Sequence, residues 1–154
     1  MQLKVGDRAP VFDSLTESGE KFSLSDQIGK SNVVLYFYPK DFTAGCTKEA
    51  CTFRDNWDKV TSLGATIVGI SSDSPETHSR FKKEHALPFA LVSDQDKRIR
   101  KLYGVESHFI PPRTTFVIDK HGNIRNIFNS QVNVTKHVEE ALRTLGEISK
   151  EVAS

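Results

Sequence analysis

The chain has two cysteines, Cys46 and Cys51, five positions apart in the stretch "YPKDFTAGCTKEACTFRD" at residues 38–55. The spacing is not the Cys-x-x-Cys of a dithiol redox site. It is also a poor half of a zinc site, because no Cys or His pair follows at ligand spacing and the five histidines, at 78, 85, 108, 121 and 137, are scattered. In a helix, residues five apart have Cα atoms about 8.6 Å from one another. A disulfide needs roughly 4.4–6.8 Å.

Cys46 falls where a buried strand is expected to give way to a helix. Ligands of open α/β folds bind at such strand ends, and the unpaired first-turn amides of a helix favour an anion. A reference thiol of pKa near 8.5 is only about 3% thiolate at pH 7, and reaching roughly 90% needs about 3.4 kcal/mol. A helix terminus supplies up to about 2 kcal/mol, so a cation is required. Arg113, in "PPRTTFVI", is a candidate: its guanidinium keeps its proton and can hold a thiolate and a substrate oxygen together. The alternative is a surface charge at the start of a strand. Thr43, three residues before Cys46, could bring its hydroxyl to the thiolate or to a bound oxygen, or act as a plain helix N-cap. Cys51 could equally be a small buried apolar residue. A cysteine-protease-like site would need a histidine beside Cys46, and nothing singles out His108 or His121.

These residues require a scaffold. "NVVLYFYP" (32–39) is a near-continuous apolar run, the pattern of a strand buried on both faces. From Ala44 to Leu63, Phe53, Trp57, Val60 and Leu63 form one helical stripe that Gly64 ends. "ATIVGISSD" (65–73) is a second buried strand, and a helix follows with Ser74 as N-cap and Pro75 at its first position. "FALVSD" (89–94) is a short strand and "KRIRKLYGV" a short helix. "TTFVID" and "NIRNIFN" form a hairpin through "KHGN". "VTKHVEEALRTLGEISKEV" closes the chain as an amphipathic helix with Val134, Val138, Leu142 and Leu145 on one face and Thr135 as its N-cap. Upstream, "PVFDSLTESGEKFSL" reads as two short strands around Gly19, followed by one helical turn ended by Gly29. The order is that of a mixed α/β sheet with parallel units and a final antiparallel hairpin, in one domain over residues 1–154.

With 154 residues, 27% of them charged, and a net charge of +1, the chain lacks the basic stripe of a nucleic-acid binder. "KKEH" (82–85) and "DKRIRK" (96–101) read as solvated helix faces. The start, "MQLKVGDRAPVF", has no apolar segment of leader type, and no run approaches a membrane helix. The expectation is a cytoplasmic protein without nucleic-acid or membrane partners. In that compartment cysteine use is transient or catalytic. No Gly-rich phosphate loop is present.

"PKDFTAGC" carries a Pro-x-x-x-Thr-x-x-Cys signature at Pro39, Thr43 and Cys46 that resembles peroxiredoxins. "CTKEACTFRD" is similar to the peroxiredoxin Q, or bacterioferritin comigratory protein, subgroup. The likeness runs from "VGDRAPVF" through "VGISSDSPETHSRF" to "RTTFVIDKHGNI". It implies a thioredoxin-like fold with an N-terminal β-hairpin and a thiol peroxidase that reduces hydrogen peroxide and organic hydroperoxides without cofactor or metal. Cys46 would be the peroxidatic cysteine and Cys51 the resolving one, joined by a transient intramolecular disulfide that a thioredoxin or glutaredoxin-like dithiol reduces. Thr43 and Arg113 would activate Cys46, Pro39 would shape the pocket, and Glu49 would orient an arginine. Resolution within one chain implies a monomer. The family usually has Pro where this chain has Ala44, which would leave the loop less rigid. The five-residue gap then implies that the helix start unwinds during turnover, over about Thr43 to Phe53.

Overall fold

A computed structural model of the chain describes residues 2–105 and 112–153. His108, Ile110 and Pro111 lie outside the described residues. Two sheets are present among the described residues: a hairpin of β1 (Asp13–Leu15) and β2 (Lys21–Ser23), and a five-stranded sheet. The large sheet has the order β5 (Ala90–Ser93), β4 (Ala65–Ser71), β3 (Asn32–Phe37), β6 (Thr114–Ile118), β7 (Ile124–Asn129). β3, β4 and β5 are parallel, and β6 and β7 run antiparallel to their neighbours. The mixed α/β sheet and the N-terminal hairpin are as expected.

β3 is central because all of its residues are buried and those from Val33 to Phe37 are apolar, so both of its faces can be covered. Val34 and Tyr36 point into one core, with Cys46, Ala50 and Phe53 of α1 (Ala44–Asp55) and Val138, Ala141 and Leu145 of α5 (Val134–Ala153). Val33, Leu35 and Phe37 point into the other, with Phe116, Ile99 of α4 (Arg98–Leu102), and Tyr103. The period-2 alternation of one strand thus fills both cores.

The stretch expected to be one helix over 44–63 is broken at Asn56 into α1 and α2 (Trp57–Ser62). Asn56 has φ −109° and ψ 11°, its amide bonds the carbonyl of Phe53, and its Nδ2 donates to the carbonyl of Thr52 at 2.9 Å. An Asn side chain that takes a backbone carbonyl competes with the helical ladder. The apolar stripe survives, with Phe53 and Val60 buried and Trp57 and Leu63 packed beside them. Thr135 is not the N-cap of the last helix: α5 begins at Val134, and the carbonyl of Asn133 already accepts from Lys136. Burial of Val134 draws the first turn one residue earlier. α3 (Pro75–His85) starts as expected, with the Ser74 hydroxyl accepting from the Thr77 amide.

Between β3 and α1 the chain makes a tight loop in which Phe42 has φ 65°, a left-handed conformation that a bulky residue rarely adopts. Buried polar contacts hold it. Tyr38 donates its hydroxyl to Asp41 Oδ1 at 2.6 Å, and Asp41 Oδ2 lies 2.6 Å from His78 Nδ1 on α3. His78 Nε2 meets the carbonyl of Val92, and the Asp41 amide donates to Asp73. Asp41, Asp73 and His78 lie within 4.8 Å of one another, but their polar atoms already bond one another and the backbone. They anchor the loop that delivers α1.

Candidate active site

α1 presents Cys46 in its first turn, 1% exposed. Thr43 occupies the N-cap position with extended backbone (φ −85°, ψ 153°), but its side chain makes no capping bond and instead donates to the carbonyl of Lys40 at 2.9 Å. The side-chain N-cap that Thr43 could have supplied is therefore not made. Ala44 is exposed at the first helical position. The extended backbone of Thr43 is one that a following proline also requires, so Ala44 leaves the loop in the conformation that proline would impose.

The side chain of Arg113, immediately before β6, reaches α1. Its Nη2 donates to Cys46 Sγ at 3.3 Å and its Nη1 to Glu49 Oε1 at 2.8 Å, with Arg113 6% and Glu49 0% exposed. The guanidinium fork holds the thiol and the carboxyl together, and Arg113 is not the surface charge that its position allowed. Gly45 makes room for it: a Cβ there would lie 3.2 Å from Arg113 Nη2. Pro39 follows β3 and is half-buried. Cys51, half-buried on α1, has its Sγ 3.8 Å from His85 Nδ1. Both cysteines are free thiols, with α1 intact between them.

Two residues behind Glu49 carried no expectation. His137 on α5 lies with its Nδ1 3.6 Å from Glu49 Oε2; its Nε2 meets the carbonyl of Ser130 at 2.8 Å and its Nδ1 meets the Thr115 hydroxyl at 2.7 Å. Burial holds the His137 pKa below the ordinary imidazole value, the Ser130 carbonyl opposes that shift, and the Arg113 charge reinforces it. A neutral ring fits these contacts: Nε2–H donates to Ser130 and Nδ1 accepts from Thr115. A signal was present in the sequence, since position 137 adjoins the buried α5 stripe of Val134 and Val138.

The 2.8 Å contact of Glu49 with Arg113 has the geometry of an ion pair, yet burial pushes the Glu49 pKa up to about 8, against the opposing pull of Arg113. Burial prevails because Glu49 Oε2 is sealed from water and has no hydrogen-bond partner among the described residues. A neutral Glu49 still accepts from Arg113 through Oε1. It therefore orients the guanidinium without cancelling its charge, and that charge faces Cys46 Sγ.

The sign of the pH dependence follows. The folded pKa of Glu49 lies above its unfolded value, so its protonated form stabilises the fold fully below about pH 4.5, and this contribution is lost as pH rises through about 8. Glu49→Gln keeps the acceptor and removes the titration. Urea unfolding across pH 5–8.5 is expected to show wild type losing stability relative to Glu49→Gln; parallel curves would contradict the assignment.

The AhpC/TSA family model matches residues 5–127. The chain is 45% identical over 143 residues to "Peroxiredoxin Q, chloroplastic" of Sedum lineare, covering 91% of this chain and 76% of that protein. It is 44% identical over 153 residues to "Putative peroxiredoxin bcp" of Coxiella burnetii, covering 94% and 100%. The crystal structure of peroxidoxin BcpB from Mycobacterium tuberculosis superposes with a TM-score of 0.91 at 34% identity, over 96% of this chain and 99% of that one. The architecture is accordingly the thioredoxin-like fold of peroxiredoxins. With a buried thiol bound by arginine at a strand–helix junction, the chain belongs to the AhpC/TSA family, in its peroxiredoxin Q and bacterioferritin comigratory protein group.

Proposed function

We propose that Cys46 is the peroxidatic cysteine and Cys51 the resolving cysteine of this thiol peroxidase. The observation that carries the reading is the 3.3 Å contact of Arg113 with the buried Cys46 sulfur. A buried guanidinium whose other partner is a neutral acid needs an anion, and a thiolate is one.

The thiolate attacks one oxygen of hydrogen peroxide or an organic hydroperoxide. An S–O bond forms, the O–O bond breaks, and the departing oxygen takes a proton and leaves as water or alcohol, so Cys46 becomes a sulfenic acid. Thiolate character alone does not make this fast, because nucleophilicity falls with pKa. The rate comes from holding the O–O bond in line and stabilising the charge that spreads over both oxygens. Arg113 and the Cys46 amide are the donors. Thr43 donates its proton to the Lys40 carbonyl, which supports a role as acceptor for the O–H of the hydroperoxide. Pro39 shields the pocket.

Cys51 then condenses with the sulfenic acid, and a thioredoxin- or glutaredoxin-type dithiol reduces the disulfide. An intramolecular partner removes the need for a second subunit, so we assign a monomer of one domain over residues 1–154. The need for a dithiol pool favours the cytoplasm. Among the described residues no helix is long and apolar enough to cross a membrane.

Because α1 is helical across both cysteines, the disulfide demands that its N-terminal part unwind. Phe53, fully buried and stacked on Tyr36 at 4.7 Å, resists at the far end. Opening therefore spends itself over the first two turns.

Peroxide consumption with dithiothreitol checks the chemistry. Cys46→Ser is expected to abolish turnover, and Cys51→Ser to complete one round of peroxide reduction and then require a different thiol for recycling; turnover that survives Cys46→Ser would overturn the reading. Amide exchange of reduced and oxidised protein checks the motion. Protection across 44–53 is expected to drop on oxidation, whereas equal protection in both forms would exclude unwinding.

A further inference from the structure

We propose that His85 is a catalytic residue of the resolving step, the base that takes the proton from Cys51. The proposal rests on the reading of Cys51 as the resolving cysteine.

His85 is the last residue of α3, and its Nδ1 lies 3.8 Å from Cys51 Sγ, within reach of an S–H···N hydrogen bond. Two contacts keep the pair together. Arg54, on α1 just beyond Cys51, donates Nη1 to the His85 carbonyl at 2.8 Å. The Phe81 ring meets the imidazole in a T-shaped contact at 5.0 Å and 67°. Phe81 in turn packs edge-on against Phe42 of the loop that delivers Cys46, at 5.2 Å. The clamp by Arg54 lies C-terminal to Cys51, so unwinding of the first turns of α1 can leave it intact. Cys51 and Arg54 are the titratable and charged groups that the described contacts bring to His85 from α1.

The chemistry needs such a base. A thiolate attacks a sulfenic acid far faster than a thiol does, and a reference thiol is only about 3% thiolate at pH 7. With its proton on Nε2, neutral His85 accepts the Cys51 proton at Nδ1. The Cys51 sulfur then attacks the Cys46 sulfur, the S–S bond forms, the S–O bond breaks, and the departing hydroxide leaves as water with the proton that the imidazole releases, which returns His85 to its neutral form. The Cys46 sulfur is reduced, the Cys51 sulfur is oxidised, and no external reagent is consumed. The last-turn carbonyls of α3 favour the positive charge that the imidazole acquires.

The gain available from complete deprotonation of a reference thiol is about thirtyfold, which bounds the expected effect. Stopped-flow with hydrogen peroxide resolves sulfenic acid formation from disulfide formation in wild type, His85→Gln and His85→Ala. Disulfide formation is expected to slow on the order of tenfold in both variants. Added imidazole is expected to restore it in His85→Ala, a rescue that a purely structural role would not show. Sulfenic acid formation within about threefold of wild type verifies that each variant is folded. Variants that resolve at the wild-type rate, or slow resolution that imidazole leaves unchanged, would overturn the proposal while leaving Cys51 as the resolving cysteine. Absence of any Cys46–Cys51 disulfide in the wild-type protein would instead overturn the resolving role of Cys51, and this proposal with it.

Discussion

The architecture around Cys46 is governed by one buried cation. Arg113 is 6% exposed and must find partners inside the protein, because a guanidinium stripped of water and left unpaired costs about 3–5 kcal/mol. It finds Glu49 Oε1 and Cys46 Sγ, three residues apart on one face of α1. Glu49 is held largely protonated by its own burial, so it fixes the direction of the fork while most of the charge remains for the sulfur. His137 and Thr115 complete the rear wall of the site without adding charge.

That requirement explains the elements around it. Arg113 immediately precedes β6, which pairs antiparallel with β3, and β3 ends at the loop leading to Cys46. The parallel run of β3 and β4 places Asp73 and His78 beside Asp41, and this cluster holds the loop with Phe42 at positive φ. The site is thus stiff on its loop side. The start of α1 lacks a side-chain cap and carries Gly45 beside Ala44, so it can give way there. Helix propensity points the same way, since glycine disfavours a helix by about 1 kcal/mol relative to alanine. On the proposed reading, rigidity where the peroxide is held and weakness where the helix opens come from adjacent residues.

Much of this arrangement was legible in the sequence. The apolar run 32–39 marked the central strand, Ser74 and Pro75 marked the start of α3, and Gly19 and "KHGN" marked two turns, since each signal is local. The break at Asn56 was hidden because the apolar stripe continues through it. Cys46, Thr43 and Arg113 could be named, but that Arg113 faces Cys46 from 67 positions away depends on β3–β6 pairing, which no local pattern contains. His137, Thr115 and His85 were missed for the same reason: each acts through a partner on another element. The side-chain bond of Thr43 also could not be read, because its cap and its contact with Lys40 are both satisfied by the same residue type.

The central claim is that the charge of Arg113, aimed by Glu49, makes Cys46 reactive. The direct measurement is the stopped-flow rate of the first step with hydrogen peroxide in wild type and Arg113→Lys. Lysine retains the charge but cannot hold two partners in one plane. A loss of roughly 10²–10³-fold is expected, in line with removal of an oriented donor from a charge-developing site. A rate within a few-fold of wild type would contradict it, because a cation without the oriented fork would then suffice to activate Cys46.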